Sequence, residues 1–304
     1  MCGIDTKNIH TIVCRYCAAY AADGVTKLVM GRKMAYTVKK KACKTIFGGI
    51  MAKIIAIANQ KGGVGKTTSA VNLSACVAQQ SRRVLAIDID PQGNMTSGLG
   101  VDKNTVTSSV YDVLINKLDV RDAIVPTQVE NLSLLPANIE LAGAEVELVG
   151  MMAREQVLKR ALYKVANDYD YVFIDCPPSL GLLTLNALTA ANTLIVPIQC
   201  EYYALEGLSQ LMNTVKLVRM HLNPELDVEG VVLTMFDSRT NLSSQVVTEV
   251  KKFFKNKVYN TIIPRSVRLS EAPSFGLPIS LYDPKSTGAK AYGELAREIV
   301  GKDN

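Results

Sequence analysis

The chain has 304 residues, of which 48% are apolar and 20% charged, with 34 Lys+Arg against 28 Asp+Glu and seven cysteines. That composition belongs to a globular protein and excludes wholesale disorder, and the cysteines lack the spacing of a secreted disulfide framework. The net charge of +6 invites a nucleic-acid reading, but the excess is local: residues 1–50 carry nine Lys/Arg and two Asp/Glu, whereas residues 51–304 carry 25 and 26.

Residues 1–50 show no sustained period of 2 or 3.6. The apolar run Thr11–Tyr20 is broken by Arg15, and no cleavage pattern follows. Cys14-Arg15-Tyr16-Cys17 has the spacing of half a zinc site, but Cys2, His10 and Cys43 complete it at no recognised spacing. Lys39-Lys40-Lys41 reads as a solvated tail. Phe47-Gly48-Gly49-Ile50-Met51 precedes a clean domain start, and back-translated it accommodates a purine-rich ribosome-binding site ahead of the Met51 codon. Residues 1–50 are therefore expected to be a non-native or disordered extension, with Met51 as the true start.

The first strand-like run, Ile54-Ile55-Ala56-Ile57-Ala58, is short, apolar and β-branched, as a buried parallel strand requires. It leads into Asn59-Gln60-Lys61-Gly62-Gly63-Val64-Gly65-Lys66-Thr67-Thr68, and helical spacing follows at Val71, Leu73, Ala75, Val77 and Ala78. A strand, a glycine loop closing in Gly-Lys-Thr and a helix start make a phosphate loop. Its glycines let backbone N–H groups turn in around phosphate oxygens, and the helix N-terminus adds its positive end. Gly62, Gly63, Val64, Gly65, Lys66, Thr67 and Thr68 are thus the expected ATP-binding residues. Lys66 would reach the β- and γ-phosphates, and the Thr67 hydroxyl would bind Mg²⁺.

The second strand, Val84–Asp88, runs into Ile89-Asp90-Pro91-Gln92-Gly93-Asn94. A carboxylate at the C-terminal end of a parallel strand stands where α/β enzymes place reactive groups. Asp90 is the candidate catalytic and Mg²⁺-facing residue, and Asp88 is read as supporting the loop. Tyr171–Asp175 is a third apolar strand ending in Asp, a Walker B pattern that makes Asp175 a Mg²⁺ ligand, through water or through Thr67. Cys176 has no acid–base partner in view and reads as packing. The uncharged stretch Cys176–Cys200 is interrupted by Pro177, Pro178 and Pro197, and splits into loop, helix and strand rather than spanning a bilayer. Further strands are expected at Leu194–Pro197, Val231–Thr234 and Val258–Pro264, with helices near 152–166, 181–191, 204–221 and 243–256. This alternation predicts an α/β fold: one domain over 51–304, built on a doubly wound, mostly parallel sheet flanked by helices.

Together these stretches make residues 51–304 resemble the ParA/Soj chromosome-partitioning ATPases, the deviant Walker A class of P-loop NTPases, over their whole length. Asn59–Thr68, Asp88–Gly100, Ile174–Leu185, Pro197–Leu208, Leu233–Asn241 and Ile263–Pro278 carry the likeness; residues 1–50 match nothing in it. The resemblance implies ATP hydrolysis and an ATP-dependent homodimer that binds double-stranded DNA without sequence preference. It implies a ParB-like centromere-binding partner that stimulates hydrolysis, and a cytoplasmic, nucleoid-associated protein. Lys61, the additional lysine at the front of the loop, would cross the dimer interface to the other subunit's nucleotide and act like an arginine finger. Asp90 would orient the attacking water. Met235 and Pro264 would frame the adenine. Residues 201–207 would lie near the dimer face, with no chemistry assigned to them.

Residues 239–268 hold Arg239, Lys251, Lys252, Lys255, Lys257, Arg265 and Arg268 against Glu249 alone, the local charge that phosphate contacts need. Arg239 and Arg268 resemble the family's DNA-contacting arginines by position. Lys252, Lys255 and Lys257 are further candidates, and Arg265 could instead line the base pocket. Three alternatives stay open: a MinD-like membrane-associated ATPase, a metabolic or electron-transfer enzyme on the same fold, and a regulator of replication initiation. Against the first, Tyr292, Leu295, Ile299 and Val300 lie at helical spacing and read as core rather than as a membrane-binding face, so no stable membrane association is expected. Against the second, Cys176 and Cys200 are not set in cluster-ligating motifs.

Overall fold

The computed structural model describes residues 52–202 and 208–302. The expectations for the extension, the start at Met51 and most of 201–207 lie outside the described residues. In chain order the elements are β1 (Lys53–Ile57), α1 (Lys66–Ala78), β2 (Val84–Asp88), α2 (Asn94–Gly98), α3 (Val110–Leu114), α4 (Val120–Ala123), β3 (Val125–Pro126) and β4 (Leu132–Leu135). There follow α5 (Leu141–Glu147), α6 (Val157–Tyr163), β5 (Tyr171–Asp175), α7 (Leu182–Ala190), β6 (Thr193–Gln199) and α8 (Leu208–His221). The described chain closes with β7 (Asp227–Phe236), α9 (Asn241–Phe254), β8 (Val258–Pro264), α10 (Val267–Glu271), α11 (Ile279–Tyr282) and α12 (Thr287–Gly301).

The strands form one sheet in the order β3-β4-β2-β5-β1-β6-β7-β8, parallel except where β3 meets β4. Side chains alternate along each strand, and both faces are apolar, so both are covered. Ile54, Ala56, Leu85, Ile87, Val172 and Ile174 pack with Leu141, Leu158, Leu183 and Leu211 on one side. Ile55, Ile57, Val84, Ala86 and Phe173 pack with Leu73, Val77, Leu295 and Ile299 on the other. Tyr292, Leu295, Ile299 and Val300 are all buried, so the apolar face of α12 is core, as its spacing predicts.

This topology sets the site. From β1 the chain first crosses to β2, leaving a gap that β5 fills, whereas β6 lies on the other side of β1. The reversal beside β1 is the crevice in which open α/β sheets bind ligands. Register brings Ile57 and Asp88 each opposite Asp175, so β1, β2 and β5 end together.

β7 runs over Asp227–Phe236, beyond the expected Val231–Thr234 at both ends, and two of the expected helices have other bounds. The helix expected over 152–166 begins as a 3₁₀ turn at Arg154–Gln156 and is α-helical only over Val157–Tyr163. Ala153, left-handed at φ 51°, breaks the backbone ahead of it. Helix α9 starts two residues before 243, because the Thr240 side chain accepts the Ser243 N–H and caps it.

Candidate nucleotide site

The loop between β1 and α1 turns on two left-handed glycines, Gly63 (φ 73°) and Gly65 (φ 84°), which present successive N–H groups to one side. Gly65 is also the α1 N-cap and offers no side chain to the first turn, leaving its N–H groups for a ligand. Thr234 on β7 fastens the loop from behind, donating its hydroxyl to the Val64 carbonyl at 2.9 Å. Asn59 anchors the entry: its Nδ2 donates to the Pro197 carbonyl (2.7 Å), and its Oδ1 accepts the Lys61 N–H (3.1 Å). Lys66 is buried, and its Nζ donates to the Lys61 carbonyl at 3.0 Å. Burial pulls its pKa down, while Asp175, Cys176 and Asp90 push the other way.

Three carboxylates line the strand ends, in three different environments. Asp88 is wholly buried and accepts from the Asp90 N–H (3.2 Å), the Thr96 N–H (2.8 Å) and the Thr96 hydroxyl (2.8 Å). Burial raises its pKa to about 6 against the pull of those bonds. It is a structural tie, as the sequence reading held. Asp90 accepts the Gln92 N–H at 2.9 Å through Oδ1. Asp175 is wholly buried, and neither of its oxygens has a partner in hydrogen-bond geometry. Burial, then the charge of Asp88, raises its pKa well above the usual range; the nearby Thr67 hydroxyl and Lys66 oppose this without reversing it. An orphaned carboxylate at the foot of a phosphate loop fits a divalent cation that takes one protein carboxylate, a hydroxyl and phosphate oxygens. Among the described residues no group of three His, Cys, Asp or Glu forms a metal cluster. Cys176 is buried and its thiol pKa is raised, consistent with packing.

Met235 and Pro264 end β7 and β8 on the same edge of the sheet as the loop, Met235 in the left-handed region at φ 51°. The DNA-contact candidates lie elsewhere, and Arg239, Arg268, Lys252 and Lys257 carry carboxylate partners. Arg239 makes a two-pronged contact with Asp237, at 2.9 and 2.6 Å. Arg268 meets Glu271 (3.0 Å) and Asp283 (3.6 Å). Lys252 meets Glu249, and Lys257 meets Asp227. The surplus counted over 239–268 is therefore partly neutralised by Asp227, Asp237, Glu271 and Asp283, which lie outside that window. Thr96 and Thr234 were given no role from sequence; their contacts bridge strands far apart in the chain.

A family model for an AAA domain matches residues 52–228. The sporulation initiation inhibitor protein Soj of Bacillus subtilis (strain 168) is 64% identical over 250 residues, covering 82% of this chain and 99% of that protein. The chain belongs to the ParA/Soj family of chromosome-partitioning ATPases. The chromosome partitioning protein ParA of Myxococcus xanthus (strain DK1622), 54% identical over 253 residues, covers 83% of this chain and 89% of its own length. Among solved structures, cobyrinic acid a,c-diamide synthase from Mycobacterium smegmatis, with bound ADP and magnesium, superposes with a TM-score of 0.73 at 43% identity. It covers 82% of this chain and 94% of that one. As in that relative, the ParA/Soj fold here is a P-loop sheet with flanking helices. Among the described residues no helix is long and apolar enough to cross a membrane.

Proposed function

We propose that this chain hydrolyses ATP to drive chromosome or plasmid partitioning, through an ATP-bound dimer that holds DNA non-specifically. The observation that carries the chemistry is the wholly buried, unpartnered Asp175 carboxylate beneath a glycine loop that closes on Lys66. The 64% identity to a protein named Soj carries the biology.

In this reading the loop N–H groups and the α1 N-terminus bind the phosphates. Lys66 leaves the Lys61 carbonyl for the β- and γ-phosphate oxygens. Thr67 and Asp175 would hold Mg²⁺, with Asp90 contributing to that site; the ion would neutralise charge on the phosphoryl oxygens. Asp90 orients the attacking water, a role whose removal costs about a hundredfold or more in rate. Asp88 and Thr96 keep Asp90 in place. Met235 and Pro264 border the base. Lys61 acts in trans on the other subunit's nucleotide. Arg239, Arg268, Lys252 and Lys257 exchange their carboxylate partners for DNA phosphates, Lys255 adds a further contact, and a ParB-like protein triggers release. Such a protein would work in the cytoplasm, on the nucleoid.

A synthase reading draws on the name of the 43% identical structure. Retention of the full chain on DNA separates the two, measured with ATP and Mg²⁺, with ADP, and with neither. Retention only with ATP, lost in Lys66→Ala, supports partitioning. Equal retention under all three conditions, or none, overturns it.

A further inference from the structure

Thr234 is buried on β7, two strands away from β1 in the sheet. Its backbone is held opposite Gln199 of β6, and its carbonyl accepts the Cys200 N–H at 3.0 Å. From this fixed root the side chain reaches a loop 170 residues earlier in the chain, where its hydroxyl donates to the buried Val64 carbonyl at 2.9 Å. Its methyl stands beside Gly65: a Cβ built on that glycine would lie 3.7 Å from Thr234 Cγ2. A trans peptide is planar, and its C=O and N–H point opposite ways. No peptide bond among the described residues is cis. The bond that draws the Val64 carbonyl toward Thr234 therefore turns the Gly65 N–H away from it, among the N–H groups the loop offers a ligand. This peptide needs a restraint. Val64 stands between two left-handed glycines, Gly63 and Gly65, and neither has a Cβ to limit how the backbone turns.

We propose that Thr234 is a positioning residue for phosphate binding: through the Val64 carbonyl it fixes the direction of the Gly65 N–H, so that the loop meets a nucleotide's phosphates already set. This rests on the phosphate-binding role given to the loop above. Thr234 touches no phosphate itself, since its hydroxyl proton is committed to the opposite end of the peptide. Without that bond the peptide can turn, and in part of the population it aims a carbonyl oxygen where an N–H should be, which phosphate oxygens repel. Presetting the peptide removes that population before binding, the way preorganisation raises affinity. A neutral hydrogen bond of this kind is worth about two- to tenfold in an equilibrium constant. The Gly65 N–H serves the phosphates before and during the reaction alike, so the loss falls on nucleotide binding and not on turnover.

Thr234→Val keeps the branched shape and removes the donor. Titration of the full-length protein with fluorescent N-methylanthraniloyl-ADP and Mg²⁺ should show a dissociation constant raised about two- to tenfold. In steady-state ATP hydrolysis KM should rise by a similar factor, with kcat at saturating ATP near that of wild type. Thr234→Ser keeps the hydroxyl and should hold the affinity within about twofold of wild type. Should the valine variant fail to fold, Thr234→Ala carries the same test, since it adds no atom beside the loop. Wild-type affinity in the folded valine or alanine variant overturns the proposal. So does a serine variant as weak as the valine one, because the methyl and not the hydroxyl would then matter. A kcat that falls while KM stays fixed overturns it as well, by moving the effect to the chemical step. A wild type that binds no nucleotide would overturn the phosphate-loop reading and this inference with it, whereas tight binding by wild type and variants alike overturns the inference alone.

Discussion

Asp175 shows how a single residue is spent on function rather than on stability. Its ordinary carboxylate value is 3.8, and the fold raises it well above that. An unfolded chain ionises this group freely above that value, whereas the nucleotide-free fold resists ionisation. The cost to folding therefore grows as pH rises from about 4 through the folded-state pKa, and is absent below. Asp175→Asn should thus melt higher than wild type near neutral pH without nucleotide, and the gap should close toward pH 4. The same variant should lose the upward melting shift that ATP and Mg²⁺ give the wild type, which thermal denaturation checks. A wild type more stable than the variant at neutral pH without ligand would count against the buried charge. Lys66, Thr67 and Asp175 were legible in the sequence because their chemistry lies in short motifs. Thr234 was not, since its contact spans 170 residues. The basic window was misjudged in strength for a related reason: a count along the chain misses carboxylates such as Asp227 and Asp283 that fold onto it.

At the scale of elements, the central strands announce themselves because each is buried on both faces and therefore reads as an unbroken apolar run. The short edge pair β3 and β4, and the helices α2 to α5, carry weaker patterns and were not placed; β3 pairs through only two residues. Beside the β2–β4 pairing and its apolar packing, one threonine helps to hold this irregular flank to the sheet. Buried Thr96 donates to Asp88 and accepts the Ala137 N–H at 3.0 Å, joining β2, α2 and the end of β4. Thr96→Val strands the Ala137 N–H and should cost about 1–3 kcal/mol in urea unfolding, with slower hydrolysis as the Asp90 loop loosens. An unfolding midpoint equal to wild type would show that the link is dispensable. On the other flank, the Tyr259 ring lies against β7 where Gly230 has no side chain, and a Cβ there would run into it. Gly230→Ala should lower stability by about 1–3 kcal/mol while leaving nucleotide affinity near wild type. Equilibrium unfolding and nucleotide titration measure the two halves of that statement.

For the whole molecule, the near-neutral charge of residues 51–304 means that the proposed DNA affinity would have to come from arrangement rather than from net charge. Arg239 and Arg268 already have carboxylate partners, so binding DNA exchanges one anion for another. Reversing both charges, Arg239→Glu with Arg268→Glu, should weaken binding uniformly across sequences and reduce the slope of log affinity against log salt by about two. An unchanged slope would move the interface elsewhere. Helix α12 has a consequence of a different kind. It covers the face behind the phosphate loop: Ser69 on α1 meets the Tyr292 hydroxyl at 3.1 Å across 223 residues of chain, and beside it the first residue of α11, Ile279, donates its N–H to the Asn72 side chain at 2.7 Å. During synthesis, the loop and its helix leave the ribosome long before their covering does. A nascent chain paused ahead of Tyr292 would thus hold a written but unbacked nucleotide site, its apolar back uncovered until α12 emerges.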